Sequence, residues 1–372
     1  MESIAKLMAE LPADYEECCI KAGAIERRRG VANPADLMML GIFHLHNGCS
    51  LLEISEIARI SKLGRMSDVA FMNRFEKCGD WFKVINGKLA SNGIIDYQKP
   101  AWMSEKTVIG VDASDVSEKG RSGRLYRLHF ALDIFTMGSL QHLITTTDTG
   151  ESICHFTLKP EDLVIADRAY STIKGIVHCN KAGAGYILRL RKSSFTVKDN
   201  AGDKIDLQHL FSGLKEDEYA DITAFATNSD GASVPVRVCA KRKTPEAIVQ
   251  TQKKLRRKES RKQLLISDEA KTFNEYIVVV TNVSETVSAE EVLEAYRYRW
   301  QIEIYFKRLK SIMDFGEMPK RREKSVIAWL NGKLMIALLL EIILAKASFP
   351  LQNYRRQKHL SRNKINVPMA VY

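Results

Sequence analysis

The chain has 372 residues, with 56 lysines and arginines against 45 aspartates and glutamates, and a formal charge of +11. This length allows two or three domains with a large core. A content of 27% charged and 45% hydrophobic residues is typical of a folded protein. Seven scattered cysteines, an odd number, argue against a secreted disulfide framework. The excess of positive charge favours a polyanionic partner, either nucleic acid or an acidic membrane.

The most apolar stretch of the chain runs from Val326 to Leu344 and is interrupted by Asn331, Lys333 and Glu341. A membrane span needs about 20 nearly uncharged residues, so we expect a buried helix here. The N-terminal segment has acidic residues and no long apolar run, which excludes a signal peptide. We therefore expect a cytoplasmic protein that has no membrane partner.

Residues 1–100 predict an all-helical domain. Apolar residues recur at helical spacing between Leu51 and Ala58, and Gly64 then interrupts the pattern. Ser67 and Asp68 can cap a second helix. Two helices around a short turn are typical of a helix-turn-helix and equally of any small helical bundle.

Residues 101–190 predict an α/β segment, because strand-like apolar runs alternate with a helical pattern. Two of the runs end at an acidic residue, Asp112 and Asp167, which predicts a site at the carboxyl edge of a sheet. Asp112 is preferred over Asp115 and Asp133 because it directly ends an apolar run, whereas Asp115 has the character of a turn residue. The predicted strands are 107–111, 125–132, 140–145, 163–166 and 186–190, with a helix over 170–182.

Residues 191–275 are more polar and predict a β-rich insertion. Its last part, residues 241–262, holds ten lysines and arginines against two acids and predicts a basic helical arm. A clear strand over 276–281 resumes the α/β pattern, so residues 276–345 are expected to complete that domain. Residues 346–372 form a basic tail with six cations and no acid.

A long helix is predicted after Ser288, which forms a capping box with Glu291. At 100° per residue, one face of this helix carries a carboxylate, three cations and a phenol. A solvated face with i,i+4 ion pairs, each contributing about 0.3–0.5 kcal/mol, explains part of the pattern. A carboxylate that helps to hold a metal beside phosphate-binding cations explains all of it. The residues on this face are Tyr296, Arg299, Glu303, Lys307 and Lys310.

Three acids from distant parts of the chain, Asp112, Asp167 and Glu303, can converge on one site. Two Mg²⁺ ions about 3.5–4 Å apart support in-line displacement at a phosphodiester. Mg²⁺ is usually held by a few carboxylates together with water and substrate phosphate. The sequence therefore predicts a site for metal-dependent phosphodiester chemistry.

The same residues carry a resemblance to a known family. The pattern Y-x2-R-x3-E-x6-K resembles the signature of the DDE transposases of the family-four insertion sequences. Asp167–Tyr170 resembles that family's D-R-x-[YAD] segment, Ile109–Asp112 resembles the strand with its first acid, and Gly48–Trp81 is similar to its helical N-terminal region. The resemblance covers most of the chain from about residue 30 to 345. The signature is formed here by Tyr296, Arg299, Glu303 and Lys310.

The resemblance implies a ribonuclease-H-like mixed sheet with flanking helices, interrupted by a β-rich insertion and preceded by a helical DNA-binding domain. It implies cut-and-paste transposition, in which water attacks the transposon end and the freed 3′-hydroxyl later attacks target DNA. Asp112, Asp167 and Glu303 would bind Mg²⁺, or Mn²⁺ in its place. The implied partners are transposon-end DNA, target DNA and a second copy of the chain, and the implied location is the cytoplasm at the nucleoid. The implied DNA contacts are Tyr296, Arg299, Lys310 and Arg168, to which the shared helix face adds Lys307.

Two alternatives stay open at this point: a nuclease of the same fold that does not join strands, and a non-catalytic DNA-binding regulator derived from a transposase.

One departure from the family also stands out. Its members often stack a flipped base on a tryptophan of the insertion, and no tryptophan lies within residues 191–275. Any aromatic face can stack a base. The other candidates there are Phe195, Phe211, Tyr219, Phe225 and Phe273.

Overall fold

The computed structural model describes residues 2–27, 29–90, 98–118, 124–216, 218–313, 317–318 and 322–359. The chain divides into two compact units. The first comprises residues 1–96, 118–122 and 309–372, and the second comprises residues 97–117 and 123–308.

Twelve α-helices occur in the described residues: α1 Glu2–Ala9, α2 Tyr15–Lys21, α3 Pro34–His46, α4 Leu51–Ile60, α5 Asp68–Ala90, α6 Ile173–Ala182, α7 Leu207–Phe211, α8 Pro245–Lys262, α9 Asp268–Phe273, α10 Ala289–Arg297, α11 Trp300–Met313 and α12 Glu323–His359.

Ten strands occur in the same residues: β1 Thr107–Glu118, β2 Arg124–Asp133, β3 Ser139–Thr146, β4 Asp162–Ala166, β5 Gly185–Arg189, β6 Thr196–Lys198, β7 Tyr219–Thr227, β8 Ser233–Arg242, β9 Tyr276–Thr281 and β10 Glu317–Met318.

The first unit is built around α5 and the apolar start of α12. Helix α5 begins where the sequence predicts, with Ser67 Oγ accepting a hydrogen bond from the Ala70 amide at 3.2 Å. Residues Glu323–Leu344 are apolar and long enough to span a membrane, yet 72% of the most apolar window is buried inside the protein. The expectation of a buried helix here is therefore confirmed. Inside this core the Asn86 side chain donates to the carbonyl of Asn331 at 2.9 Å.

The second unit contains one mixed sheet with the strand order β3-β2-β1-β4-β5-β9-β8-β7-β6. Strands β1, β2 and β3 are antiparallel, whereas β4 and β5 run parallel to β1. Strand β9 runs antiparallel to β5, and β8, β7 and β6 extend the sheet in antiparallel fashion. A mixed α/β sheet with helices was expected and is confirmed. The strands of residues 191–275 extend this same sheet.

Strand β1 is longer than predicted and does not end at Asp112. It pairs with β4 only over Thr107–Gly110, but with β2 as far as Ser117. The second partner holds the chain extended for six residues after Asp112. Asp115 is consequently a strand residue, not the expected turn residue, and its carboxylate binds the Arg127 guanidinium at 2.7 Å.

The long helix predicted after Ser288 is two helices. The capping box of Ser288 and Glu291 is present and starts α10 as expected. Helix α10 ends at Arg297, and α11 begins at Trp300. Tight i to i−3 hydrogen bonds of the Tyr298 and Arg299 amides form the break. The Tyr298 ring packs on Phe135 with centroids 4.9 Å apart, so a tertiary contact accompanies the change of direction.

The basic arm predicted at residues 241–262 contains the exposed helix α8, in which no side chain is buried. Strand β7, which the sequence pattern did not single out, pairs with β8 along its whole length. Part of the predicted basic tail, residues 346–359, belongs to α12, and residues 360–372 lie outside the described residues.

Candidate active site

Asp112 and Asp167 are neighbours at the edge of the sheet where β4 ends. The last pair between β1 and β4 joins Gly110 to Ile165, and each aspartate lies two residues beyond that pair. Asp112 Oδ1 accepts a hydrogen bond from the Ala113 amide at 2.8 Å, and Asp167 Oδ1 accepts one from the Ala169 amide at 2.8 Å. The two acids predicted from sequence are therefore brought together, each with one oxygen held by the backbone.

Burial, together with the negative charges of Asp167 and Glu151, raises the pKa of Asp112 from its usual value to about 7. The Ala113 amide and the charge of Arg299 act in the opposite direction. A carboxyl group whose ionisation is disfavoured by burial and by a neighbouring carboxylate is stabilised in its charged form by a cation placed beside it. The pair therefore has the electrostatic character of a cation site.

Glu151 and Tyr170 complete this acidic pocket, and sequence reasoning did not select either as a site residue. Glu151 lies in the loop after β3, and burial together with Asp167 raises its pKa. The pKa of Tyr170 is raised by burial and by Asp112, Glu151 and Asp167. Tyr170 is only 1% exposed, and among the described residues its hydroxyl has no hydrogen-bond partner. A buried hydroxyl without a partner next to three carboxylates fits a pocket that holds water or a cation.

Glu303 is brought to the same edge by helix α11. Tyr305 of this helix stacks on Phe130 of β2 with ring centroids 5.1 Å apart. Ile302 lies close to Gly110 of β1, where an added Cβ would meet the Ile302 Cβ at 3.4 Å and the Ile134 side chain at 3.2 Å. Glycine at position 110 thus allows the helix to approach the strand two residues before Asp112.

Arg299 links Glu303 to the aspartates. Its guanidinium binds the Glu303 carboxylate at 2.6 Å and lies over the Tyr296 ring, 5.7 Å from the centroid. Burial alone lowers the pKa of Arg299, but Tyr296, Glu303 and Asp167 together raise it above its usual value. Within the described chain, Arg299 Nε is buried and lacks an acceptor. This donor is available to an anion.

The remaining predicted site residues lie in different surroundings. Arg168 directly follows Asp167, and burial together with the charge of Arg189 lowers its pKa to about 10. Lys307 is exposed and has its amine over the Trp300 ring at 5.7 Å, whereas Glu303 is paired with Arg299. Lys310 lies on α11 beyond residue 308, the last residue of the second unit, and is exposed. Trp300, which directly follows Arg299, is 49% exposed although the Lys307 amine lies over one face of its ring.

The residues at this edge fit Mg²⁺ in part. Asp112 and Asp167 each use only Oδ1 in the hydrogen bonds between described residues, which leaves the second oxygen of each for a cation. Mg²⁺ commonly takes one or two carboxylates and completes its shell with water and phosphate. No group of three or more His, Cys, Asp or Glu side chains is placed to hold a metal in the described part of the chain. Glu303 is instead paired with Arg299.

Three of the aromatic residues considered for base stacking are inaccessible to a base. Phe195, Phe211 and Phe273 are buried in the hydrophobic core of the second unit. Tyr219 and Phe225 are partly exposed, and the Tyr219 hydroxyl donates to Glu290 at 3.1 Å.

This edge of the sheet defines an α/β core whose paired carboxylates lie beside half-buried arginines, an arrangement suited to chemistry on phosphodiesters. The transposase DDE domain family matches residues 106–340, which is well over half of the chain. The chain belongs to this family, and it is accordingly an enzyme of DNA transposition.

Curated relatives are similar to this chain, two of them along nearly its whole length. The chain is 27% identical over 347 residues to the putative transposase InsL for insertion sequence element IS186A of Escherichia coli K12, covering 91% of this chain and 93% of the relative. It is also 27% identical over 348 residues to the transposase for insertion sequence element IS421 of Escherichia coli, with the same coverage. A shorter match, 27% identity over 226 residues, joins it to the transposase for IS231E of Bacillus thuringiensis subsp. finitimus, covering 54% of this chain and 47% of that relative.

Proposed function

We propose that the protein is the transposase of an insertion sequence and that it moves its element by cut-and-paste transposition. The observation that carries this proposal is the half-buried pair Asp112 and Asp167 beside the Arg299–Glu303 ion pair, within a transposase DDE domain. The names of the relatives support the choice of an insertion sequence as the substrate.

The core of the sheet is proposed to be ribonuclease-H-like. The order β3-β2-β1-β4-β5, with three antiparallel strands followed by two that run parallel to β1, supports this assignment. Residues 191–275 then separate β5 from β9 along the chain, although the two strands are neighbours in the sheet. An insertion between adjacent core strands explains the long separation between Asp167 and Glu303.

In the proposed mechanism Asp112, Asp167 and Glu303 are the metal ligands. Bound Mg²⁺ would activate the attacking oxygen and stabilise the leaving oxygen of an in-line displacement. The chain orients this chemistry through the backbone amides of Ala113 and Ala169, which hold one oxygen of each aspartate. Tyr170 contributes a buried hydroxyl that has no hydrogen-bond partner among the described residues and that feels the charges of Asp112 and Asp167.

DNA phosphates are proposed to bind Arg299, Tyr296, Arg168 and Lys310, with Lys307 at the exposed side of α11. A phosphate that accepts hydrogen bonds from the Arg299 guanidinium, including its unpaired Nε, competes with Glu303 for the same cation. Glu303 would then be free to join the two aspartates. Substrate binding would in this way complete the set of carboxylates.

The proposed function is tested with duplex DNA that carries the inverted repeats flanking the gene. We expect the purified protein with Mg²⁺ to cut at the repeat ends and to join the freed 3′ ends to a target plasmid. Cut ends without joined product would favour a nuclease of the same fold, and binding without any metal-dependent nicking would favour a regulator. Because two ends must be joined, we propose that a homodimer acts in the end complex, in the cytoplasm at the nucleoid.

Replacing Arg299 tests the role assigned to the signature face. We expect Arg299→Ala to weaken binding to the end duplex by about 10-fold to 150-fold, since a charge-assisted hydrogen bond contributes about 1.5–3 kcal/mol. Arg299→Lys should restore little of the affinity, because a lysine lacks the planar fork of donors. Fluorescence anisotropy with labelled duplex measures both variants.

The matched control is Arg297→Ala, which removes an arginine two residues away that is paired at the surface with Glu294. Its affinity should equal that of the native protein. Equal affinities for the Arg299 and Arg297 variants would contradict the assignment.

A further inference from the structure

A second group of cations meets at the same edge of the sheet, beside the acids. Strand β4 leads to Arg168, β5 ends at Arg189, and β8 ends at Arg242 with Lys243 directly after it. The register places these strand ends together, because Ala166 pairs with Leu188 and Arg242 pairs with Tyr276 at the start of β9. Arg189 also donates to the Tyr276 carbonyl at 3.3 Å.

Lys243 is the innermost member of this group. Its amine donates to the Asn274 carbonyl at 2.6 Å and to Thr251 Oγ1 at 2.9 Å. Its backbone amide donates to the Glu275 carbonyl at 2.9 Å, which continues the pairing of β8 with β9. An ammonium group has three donors, so a third donor remains beyond these two hydrogen bonds of the amine. Lys243 thus fastens the second turn of α8 to the sheet.

The charges that face Lys243 are mostly positive. Burial, together with the charges of Arg189, Arg168 and Lys254, lowers its pKa to about 7, and Glu275 acts in the opposite direction. Glu275 is itself paired with Arg242 at 3.3 Å. Like charges gathered around a buried amine are stabilised by an added anion. In the described chain, Arg242 Nε is a further buried donor at this edge that has no acceptor.

Helix α8 continues this positive surface outward. It holds seven lysines and arginines against two glutamates, and none of the seven forms an ion pair with a described acid. At 100° per residue, Lys254, Lys258 and Arg261 lie on the same side of the helix as Thr251, which binds Lys243. The basic side chains of the second half of α8, including Lys254 and Arg261, form an open positive surface.

We propose that Lys243 is a positioning residue that joins the catalytic edge to α8. This connection creates one continuous track for the DNA backbone, which consists of Arg168, Arg189, Lys243 and the Thr251–Arg261 face of α8. The track binds the phosphates of duplex DNA next to the scissile phosphate and makes no contacts with the base edges. The role of Lys243 rests on the proposed function, because the acids at the head of the track are taken to cut DNA.

The salt dependence of binding tests the track. We use a random 30-base-pair duplex in EDTA, so that neither cleavage nor knowledge of the terminal repeat is needed. The slope of log K against log salt becomes shallower by about 0.9 for each phosphate that the protein no longer neutralises. The double variant Lys254→Ala, Lys258→Ala should no longer neutralise two phosphates. We therefore expect its slope to be shallower than the native slope by nearly twice the value for one phosphate. The control Lys181→Ala removes an exposed lysine at the end of α6, which leads to the opposite edge of the sheet, and should keep the native slope.

Lys243 is tested by proton uptake, which a merely structural role would not change. A phosphate next to Lys243 raises its pKa, so DNA binding at pH 7.5 should take up on the order of half a proton. Titration calorimetry in buffers of different ionisation enthalpy measures this uptake. Lys243→Arg keeps the charge but has no pKa near neutrality, so it should bind DNA and lose the part of the uptake that Lys243 contributes.

Two results would contradict the proposed track. One is a native slope of log K against log salt in the α8 double variant, and the other is unchanged proton uptake in Lys243→Arg. Circular dichroism and the thermal midpoint establish that each variant is folded. The catalytic variant Asp167→Asn should keep the native slope, so the track can fail while DNA cleavage stands. Cleavage and joining can equally fail while the slope and the uptake behave as expected.

Discussion

Asp167→Asn is expected to reduce cleavage of the transposon end by a factor of at least 10³, on the order of 4 kcal/mol in the activation free energy. Asparagine is nearly isosteric and still accepts the Ala169 hydrogen bond, but it removes the negative charge that a divalent cation needs. Asp112→Asn and Glu303→Gln should lose activity to a similar degree. Nicking of a labelled end duplex in Mg²⁺ measures the rate.

DNA binding distinguishes a catalytic role from a folding defect in these variants. We expect the three of them to retain affinity for the end duplex within about threefold, because cations make the phosphate contacts. Glu216→Gln is a suitable control, since Glu216 is an exposed carboxylate of the 191–275 segment. Cleavage at the native rate by Glu303→Gln would remove Glu303 from the site, and loss of cleavage in the Glu216 variant would make the assay uninformative about charge at the sheet edge.

Asp112→Asn is expected to stabilise the protein in EDTA without DNA, although it abolishes activity. The pKa of Asp112 rises from 3.8 to about 7 on folding, chiefly because of burial. The folded protein therefore binds more protons than the unfolded chain between about pH 4 and 7, and the free energy of unfolding falls as the pH rises through this window. Above pH 7 the full cost of the buried charge is present.

The size of the effect follows from the same shift. A pKa shift from 3.8 to about 7 corresponds to at most about 4 kcal/mol of stability. Because the site is partly exposed, we expect less: at pH 8.5 the free energy of unfolding of Asp112→Asn should exceed that of the native protein by roughly 1–3 kcal/mol. At pH 4 the two proteins should be nearly equal. Urea unfolding at both pH values measures the difference.

Two controls separate the charge of Asp112 from a general effect of the substitution. Mg²⁺ should raise the unfolding free energy of the native protein at pH 8.5 and leave that of Asp112→Asn nearly unchanged, which would narrow the difference. Asp199→Asn changes an aspartate in the exposed turn after β6 and should show no such gain. Destabilisation of Asp112→Asn at pH 8.5 would contradict the electrostatic account of the pocket.

The order of the elements and the identity of the predicted site residues follow from local patterns in the sequence. Strand β9 begins and ends where the apolar run 276–281 predicts, and the capping box at Ser288 starts α10. Such signals depend on side chains a few residues apart, which the chain itself places together. The spacing of Tyr296, Arg299 and Glu303 likewise indicates the family without any knowledge of tertiary contacts.

The tertiary structure decided how those residues meet. Strand β1 continues past Asp112 because β2 supplies a second partner, and the helix predicted after Ser288 breaks at Tyr298, which packs on Phe135. The pocket formed by Glu151 and Tyr170, and the hydrogen bond from Lys243 to the Asn274 carbonyl, join segments whose local patterns carry no sign of each other. Periodicity reports which face of an element is apolar, whereas strand partners and buried charges depend on which distant segments the fold brings into contact.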